Sequence, residues 1–186
     1  MTRNEVPHDK WQYGDRTTVE VRGTLLRLTL EFVLAARQIP GVARIAMLGS
    51  LVTAKSRPKD ADVLVTITGD AALEALAHAA RRFQGRAQGI NSTADVFLTD
   101  TSGRYLGRVC HFRECRPRVR CHARHCGARP HLADDLDVVF LNDTLTVTPP
   151  LVLHPTVVAR IHVPPDVDTL LLAALRRAAP IAVTEA

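Results

Sequence analysis

The chain has 186 residues, of which 46% are hydrophobic, 23% charged and 4% aromatic. This length suits one compact domain, or one domain with a small annex, and the apolar share is too high for a disordered tail. No apolar run approaches the roughly 20 residues of a membrane-spanning helix, and the N-terminal segment lacks the apolar stretch of a secretory signal. We therefore expect a cytoplasmic α/β protein without a membrane partner.

The positive charge is concentrated in one segment. The whole chain carries +5, from 24 Lys and Arg against 19 Asp and Glu. Between Arg104 and His131 there are eight arginines and one acid, Glu114, so this segment carries +7 and the remainder −2. A local basic patch of this kind indicates contact with a polyanion.

The first part of the chain predicts a helix followed by a buried strand. From Thr17 to Gln38, apolar residues recur at steps of three and four, which is typical of an amphipathic helix. Thr17 or Thr18 is the candidate N-cap, and Pro40-Gly41 is the stop signal. Residues 42–48 form a short apolar run with a glycine on each side, which predicts a buried strand.

The rest of the chain predicts further strands and helices around one irregular segment. We expect a connection with at most a short helix at 51–59, strands at 62–67 and 94–98, and between them a helix opened by Asp70, with Leu73, Leu76, Ala80 and Phe83 facing inward. Residues 100–131 show no sustained period and predict an insert instead of a core element. Beyond it we expect strands at 136–141 and 144–148, an extended or looped segment at 149–165, and a helix from Asp166 to about Ala179.

These elements predict an α/β (α+β) fold in which helices flank a sheet. Residues 1–100 would form the core. Residues 101–131 would form an insert rich in Cys and Arg, and residues 132–186 would complete the same domain.

A glycine-serine pair and three acidic residues form the most informative pattern. Gly49 and Ser50 end the first predicted strand, where a glycine allows backbone N–H groups to approach a ligand closely. Asp60 and Asp62 are two positions apart, so their side chains share one face of the next strand, with Cα atoms roughly 6–7 Å apart. Asp95, in the third predicted strand, is the candidate third carboxylate.

This pattern favours a magnesium site. Neighbouring carboxylates repel one another, and a divalent cation between them removes that repulsion. Oxygen ligands suit Mg²⁺, which is commonly held by one or two carboxylates together with substrate phosphates. Each feature alone is most often a turn or a solvated strand end, but their combination makes Asp60, Asp62 and Asp95 candidate catalytic residues and Mg²⁺ ligands.

The same residues resemble a known family, the DNA polymerase β-like nucleotidyltransferases, and most closely its small bacterial "minimal" members. The resemblance covers about residues 40–100 and implies a nucleotidyltransferase-type mixed sheet flanked by helices. It also implies that Gly49 and Ser50 hold the triphosphate of an NTP such as ATP. Many members have Arg-Gly shortly after Gly-Ser, whereas this chain has Thr53-Ala54-Lys55. Lys55 is therefore the candidate to replace the arginine of those members as a phosphate contact.

The resemblance further implies a mechanism. Asp60 and Asp62 would bind two Mg²⁺ ions, while Asp95 would complete the metal site and help deprotonate the attacking hydroxyl. The reaction would be in-line attack on the α-phosphate of the NTP with release of pyrophosphate. The acceptor stays open, because a tRNA or other RNA, a protein or a small molecule would all fit.

Four cysteines inside the basic segment favour a structural zinc site. They occupy seventeen residues, interleaved with His111, His122 and His125, at positions Cys110, Cys115, Cys121 and Cys126. Zinc takes four S or N ligands in a tetrahedron, and a small insert without its own core gains most from such a site. Unliganded thiols and two disulfides are the alternatives.

The arginines of residues 104–131 allow two interpretations. They can bind the phosphates of a nucleic acid or of the NTP, or they can form an exposed basic surface that pairs with the acidic remainder. Only Tyr105 and Phe112 lie near enough in sequence for base stacking, which favours the second interpretation. The alternative function is accordingly a non-catalytic nucleic-acid-binding module.

Overall fold

The computed structural model describes residues 12–111, 132–133, 136 and 139–178, and within them seven strands form one sheet. In chain order the elements are α1 (Gln12–Ala36), β1 (Val42–Leu48), a 3₁₀ turn (Ser50–Val52), β2 (Asp60–Ile67), α2 (Leu73–Gln88), β3 (Thr93–Thr99), β4 (Tyr105–Val109), β5 (Leu132–Ala133), α3 (Asp143–Val147), β6 (Leu151–His154) and β7 (Val158–Ala159). The C-terminal helix then follows as α4 (Pro165–Val167), a π-helical turn (Asp168–Leu172) and α5 (Ala173–Arg177).

The sheet is mixed. Its strand order is β5-β4-β3-β2-β1-β6-β7, in which β2 and β3 are parallel and every other neighbouring pair is antiparallel. The parallel pair is joined through α2, as such a crossover requires. The predicted mixed sheet flanked by helices is confirmed. In the described part of the chain, no helix is both long and apolar enough to cross a membrane.

Alternating side chains give the two faces of the sheet different roles. Ala61, Val63 and Val65 of β2 belong to the main core, which α1, α2 and the C-terminal helix cover. Leu64 belongs instead to a smaller cluster with residues of β1 and α3 on the opposite face. Because successive side chains alternate, Asp60 and Asp62 share the face of Leu64.

The predicted helices are present, but their caps differ. Helix α1 already runs from Gln12, so neither Thr17 nor Thr18 caps it. Asp70 lies ahead of α2, where it accepts a hydrogen bond from Thr68 Oγ1. Asp166 is inside the first turn of the C-terminal helix instead of capping it.

The strand prediction for residues 144–148 is wrong. These residues belong mainly to the short helix α3, whose N-cap Asn142 accepts a hydrogen bond from the Thr144 amide at 2.6 Å. The β-branched residues favour a strand locally, but this cap satisfies a free amide and starts a helical turn. Nor do the described residues of 136–141 form a strand.

Four strands lie where the sequence predicts none, namely β4, β6 and the two-residue edge strands β5 and β7. Leu151–His154 of the predicted loop forms β6, whose first three residues are buried beside β1. Tyr105–Val109 of the predicted insert forms β4, which pairs with β3. Strands β4 and β6 are too short to show a period, and prolines or arginines surround them, so only pairing with a neighbour identifies them. Residues 112–131 lie outside the described part of the chain.

Candidate functional site

The three candidate carboxylates lie on one face of two neighbouring strands. Asp60 and Asp62 belong to β2 and Asp95 to β3, and the parallel register places Asp62 directly beside Asp95. Ala61 and Ala94 are buried in the helix-covered core. The acidic residues next to them in each strand therefore point to the other face of the sheet. The structure therefore places the acidic residues that the sequence singles out on one face of two adjacent strands.

The glycine-serine bend lies against two of these carboxylates. Gly49 has φ +68° and ψ −157°, a conformation that only glycine adopts without strain. A Cβ atom at this position would lie 2.0 Å from Asp62 Oδ2, so the missing side chain makes room for the carboxylate. The Ser50 hydroxyl donates a hydrogen bond to Asp60 Oδ1 at 3.4 Å. Lys55 follows the bend in a solvent-exposed stretch.

The negative charge of Asp62 is disfavoured by its surroundings. The pKa of Asp62 is raised to about 6, mainly by burial and additionally by the neighbouring charges of Asp60 and Asp95. Ionised Asp62 is therefore costly in the folded protein, and either a proton or a cation would relieve that cost.

The raised pKa of Asp62 predicts a pH dependence of stability. The folded-state pKa of about 6 lies above the unfolded value of 3.8, so ionisation destabilises the fold progressively as the pH rises through this interval. Without divalent cations, the melting temperature of Asp62→Asn minus that of the wild type should increase between these two pKa values and level off above them. Calorimetry in the presence of a chelator measures this difference, and a value independent of pH would contradict the assignment.

Asp95 has a partner that the sequence does not reveal. Its Oδ1 lies 2.9 Å from His111 Nε2, just beyond β4. Burial by itself would raise the pKa of Asp95, but the hydrogen bond and charge of His111, together with the charge of Arg108, lower it. In the sequence, His111 is notable only as one of the histidines interleaved with the four cysteines. A prediction of strand β4 would have placed His111 near Asp95, because antiparallel pairing of Phe97 with Arg108 brings the residues after β4 toward Asp95.

The donor chemistry of the site fits magnesium, although the three carboxylates are not gathered around one point. Among the described residues, no group of three Asp, Glu, His or Cys side chains is arranged to hold a metal ion. Asp95 is engaged by His111, while Asp60 and Asp62 offer oxygen ligands beside the bend. Oxygen donors and repulsion around Asp62 suit a hard divalent cation.

The predictions for the cysteines and arginines concern mostly residues outside the described part of the chain. Cys110 is fully buried at the end of β4, whereas Cys115, Cys121 and Cys126 lie outside the described residues, as do the arginines from 113 to 129. Of the two remaining arginines, Arg104 forms an ion pair with Asp100. The zinc site and the nucleic-acid contact therefore stay predictions.

Comparisons with known proteins add no family assignment. No protein-family model matches the chain, and neither the curated proteins nor the solved structures contain a significant match.

Proposed function

We propose that this protein is a Mg²⁺-dependent nucleotidyltransferase that moves an NMP group from an NTP to an acceptor hydroxyl and releases pyrophosphate. The observation that carries the proposal is the crowding of Asp62 between Asp60 and Asp95, with Gly49 packed against it. Such crowding costs stability unless a cation is bound, which is typical of a functional site. The resemblance to the polymerase β-like nucleotidyltransferases supports the same reaction and a sheet of that type.

The bend and the paired acids would receive the Mg²⁺-bound triphosphate. Asp60 and Asp62 are the proposed Mg²⁺ ligands, and the backbone N–H groups of the bend, where Gly49 has no side chain, would approach the phosphates. The Ser50 hydroxyl, now bonded to Asp60, can turn to a phosphate oxygen, and the exposed ammonium of Lys55 adds positive charge. Two Mg²⁺ ions bound here would stabilise charge on the attacking and leaving oxygens.

Asp95 and His111 would work as a unit. The lowered pKa keeps Asp95 ionised at neutral pH, which suits cation binding and makes it a weak acceptor for the proton of a hydroxyl. His111 fixes the orientation of the carboxylate by its hydrogen bond. We therefore assign Asp95 first to the metal site, and its part in deprotonation follows from the family resemblance alone.

The function is tested by incubating the protein with each α-labelled NTP over a cell extract, with and without Mg²⁺. We expect one extract fraction to acquire label only with the divalent cation, which also identifies the acceptor as RNA, protein or small molecule. Asp60→Ala and Asp62→Ala should abolish labelling, whereas Glu74→Gln, an exposed acid of α2, should leave it unchanged. Undiminished labelling by both Asp variants would overturn the proposal.

The same experiment separates the alternative function. A non-catalytic nucleic-acid-binding module would consume no NTP, and its affinity for nucleic acid would fall steeply with salt.

A further inference from the structure

A buried arginine lies behind the glycine-serine bend. Arg22 of α1 is only 7% exposed. A buried charge is costly unless it is paired and hydrogen-bonded. Asp166, at the start of the C-terminal helix, supplies the pairing by accepting from both Nε and Nη2. The bonds of Arg22 therefore connect two helices that are 144 positions apart in the chain.

The same guanidinium also holds the segment after the bend. Nη1 donates to the carbonyl oxygen of Lys55 at 3.0 Å, and Nη2 donates to that of Leu51 at 3.2 Å. Leu51 directly follows the Gly49–Ser50 bend, inside the 3₁₀ turn. Two backbone points of residues 51–55 are thus fixed by one side chain whose orientation Asp166 determines.

We propose that Arg22 is a positioning residue, which orders residues 51–55 and thereby holds the Gly49–Ser50 bend against Asp60 and Asp62. The ordering follows from the contacts alone, whereas its consequence for nucleotide binding rests on the proposed function. A lysine cannot replace Arg22 here, because an ammonium lacks the planar fork that meets a carboxylate and two carbonyl oxygens together.

A merely structural role for the ion pair must be separated from this positioning role. Removing one partner leaves a buried charge unpaired and destabilises the fold, whereas removing both is often nearly neutral. The informative variant is therefore Arg22→Met/Asp166→Asn, which loses the carbonyl bonds without leaving a lone charge. The matched control is Arg176→Met/Asp168→Asn, which removes an exposed pair of the same C-terminal helix.

Limited trypsin digestion measures the order of the segment directly, because Lys55 precedes an exposed peptide bond whose carbonyl Arg22 holds. We expect cleavage after Lys55 to be about tenfold faster in Arg22→Met/Asp166→Asn than in the wild type, since two hydrogen bonds are lost. Arg22→Lys should also be cleaved faster, and the control should match the wild type. Cleavage after the exposed Arg104 serves as the reference for general opening. Equal rates after Lys55, relative to this reference, would overturn the proposal.

A nucleotide arm tests the consequence. We expect Mg²⁺ and labelled NTP to slow cleavage after Lys55 in the wild type, and the Kd of NTP to be about tenfold weaker in Arg22→Met/Asp166→Asn. If the wild type binds NTP and the variant binds it equally well, the positioning role is wrong. If the wild type binds no NTP, the proposed function fails, while faster cleavage of the variant still establishes ordering by Arg22.

Discussion

Asp62→Asn is expected to lower Mg²⁺-dependent NTP turnover by at least about 100-fold, because it removes a ligand charge from the centre of the proposed metal site. At pH values above about 7, the same substitution should raise the melting temperature of the metal-free protein, since it removes a carboxylate whose ionisation the fold disfavours. Turnover with labelled NTP and calorimetry with a chelator measure the two effects on one preparation.

The opposite signs of these effects make the prediction specific. Substitution of an acid with a purely structural role would destabilise the protein, and any loss of activity would then follow from unfolding. Asp100 is the matched comparison, because hydrogen bonds from Ser102 and Arg104 stabilise its ionised form. Asp100→Asn should lower stability and leave turnover per folded molecule unchanged. An active Asp62→Asn variant would refute the metal site.

Gly49→Ala is expected to disrupt the site severely. The new Cβ would lie 2.0 Å from Asp62 Oδ2, and alanine is strained at φ +68°. Either the bend or the carboxylate must move, which should cost roughly 3 kcal/mol of unfolding free energy and abolish turnover. Denaturant unfolding measures the loss of stability, and labelled NTP measures the loss of activity.

A second glycine provides the control for this variant. Gly85 lies inside α2, and a Cβ there would meet no atom within 4 Å. Gly85→Ala should therefore stabilise the protein by about 0.5 kcal/mol, because alanine loses less backbone entropy in a helix. Turnover should be unaffected. Equal stability of Gly49→Ala and the wild type would show that the bend does not need glycine.

Local sequence patterns predict the part of the site that lies within single strands. Asp60 and Asp62 share a face because side chains alternate along a strand, and Asp95 follows the same alternation in β3. The glycine after β1 is recognisable because it stands with Ser50 at the end of an apolar run, where a glycine lets backbone N–H groups approach a ligand. The helices α1 and α2 and the C-terminal helix are likewise detectable from their apolar period.

Tertiary structure decides what depends on partners distant in the chain. His111 forms a hydrogen bond with Asp95 only because β4 pairs with β3. The sequence pattern does not reveal β4, because it is short and lies in a segment rich in arginine and cysteine. Strand β6 exists because β1 offers it an edge, and Arg22 is buried because Asp166, 144 positions away, neutralises it. The amino-acid sequence by itself therefore determined the acidic pattern, since the alternation of side chains along a strand is local. It also contains the glycine before Ser50, but the contact of Gly49 with Asp62 depends on the fold. The tertiary structure decided the strand register, the pKa values of the acidic residues and the hydrogen bonds from Arg22 to residues 51–55. All of these depend on distances in space between residues that are far apart in sequence.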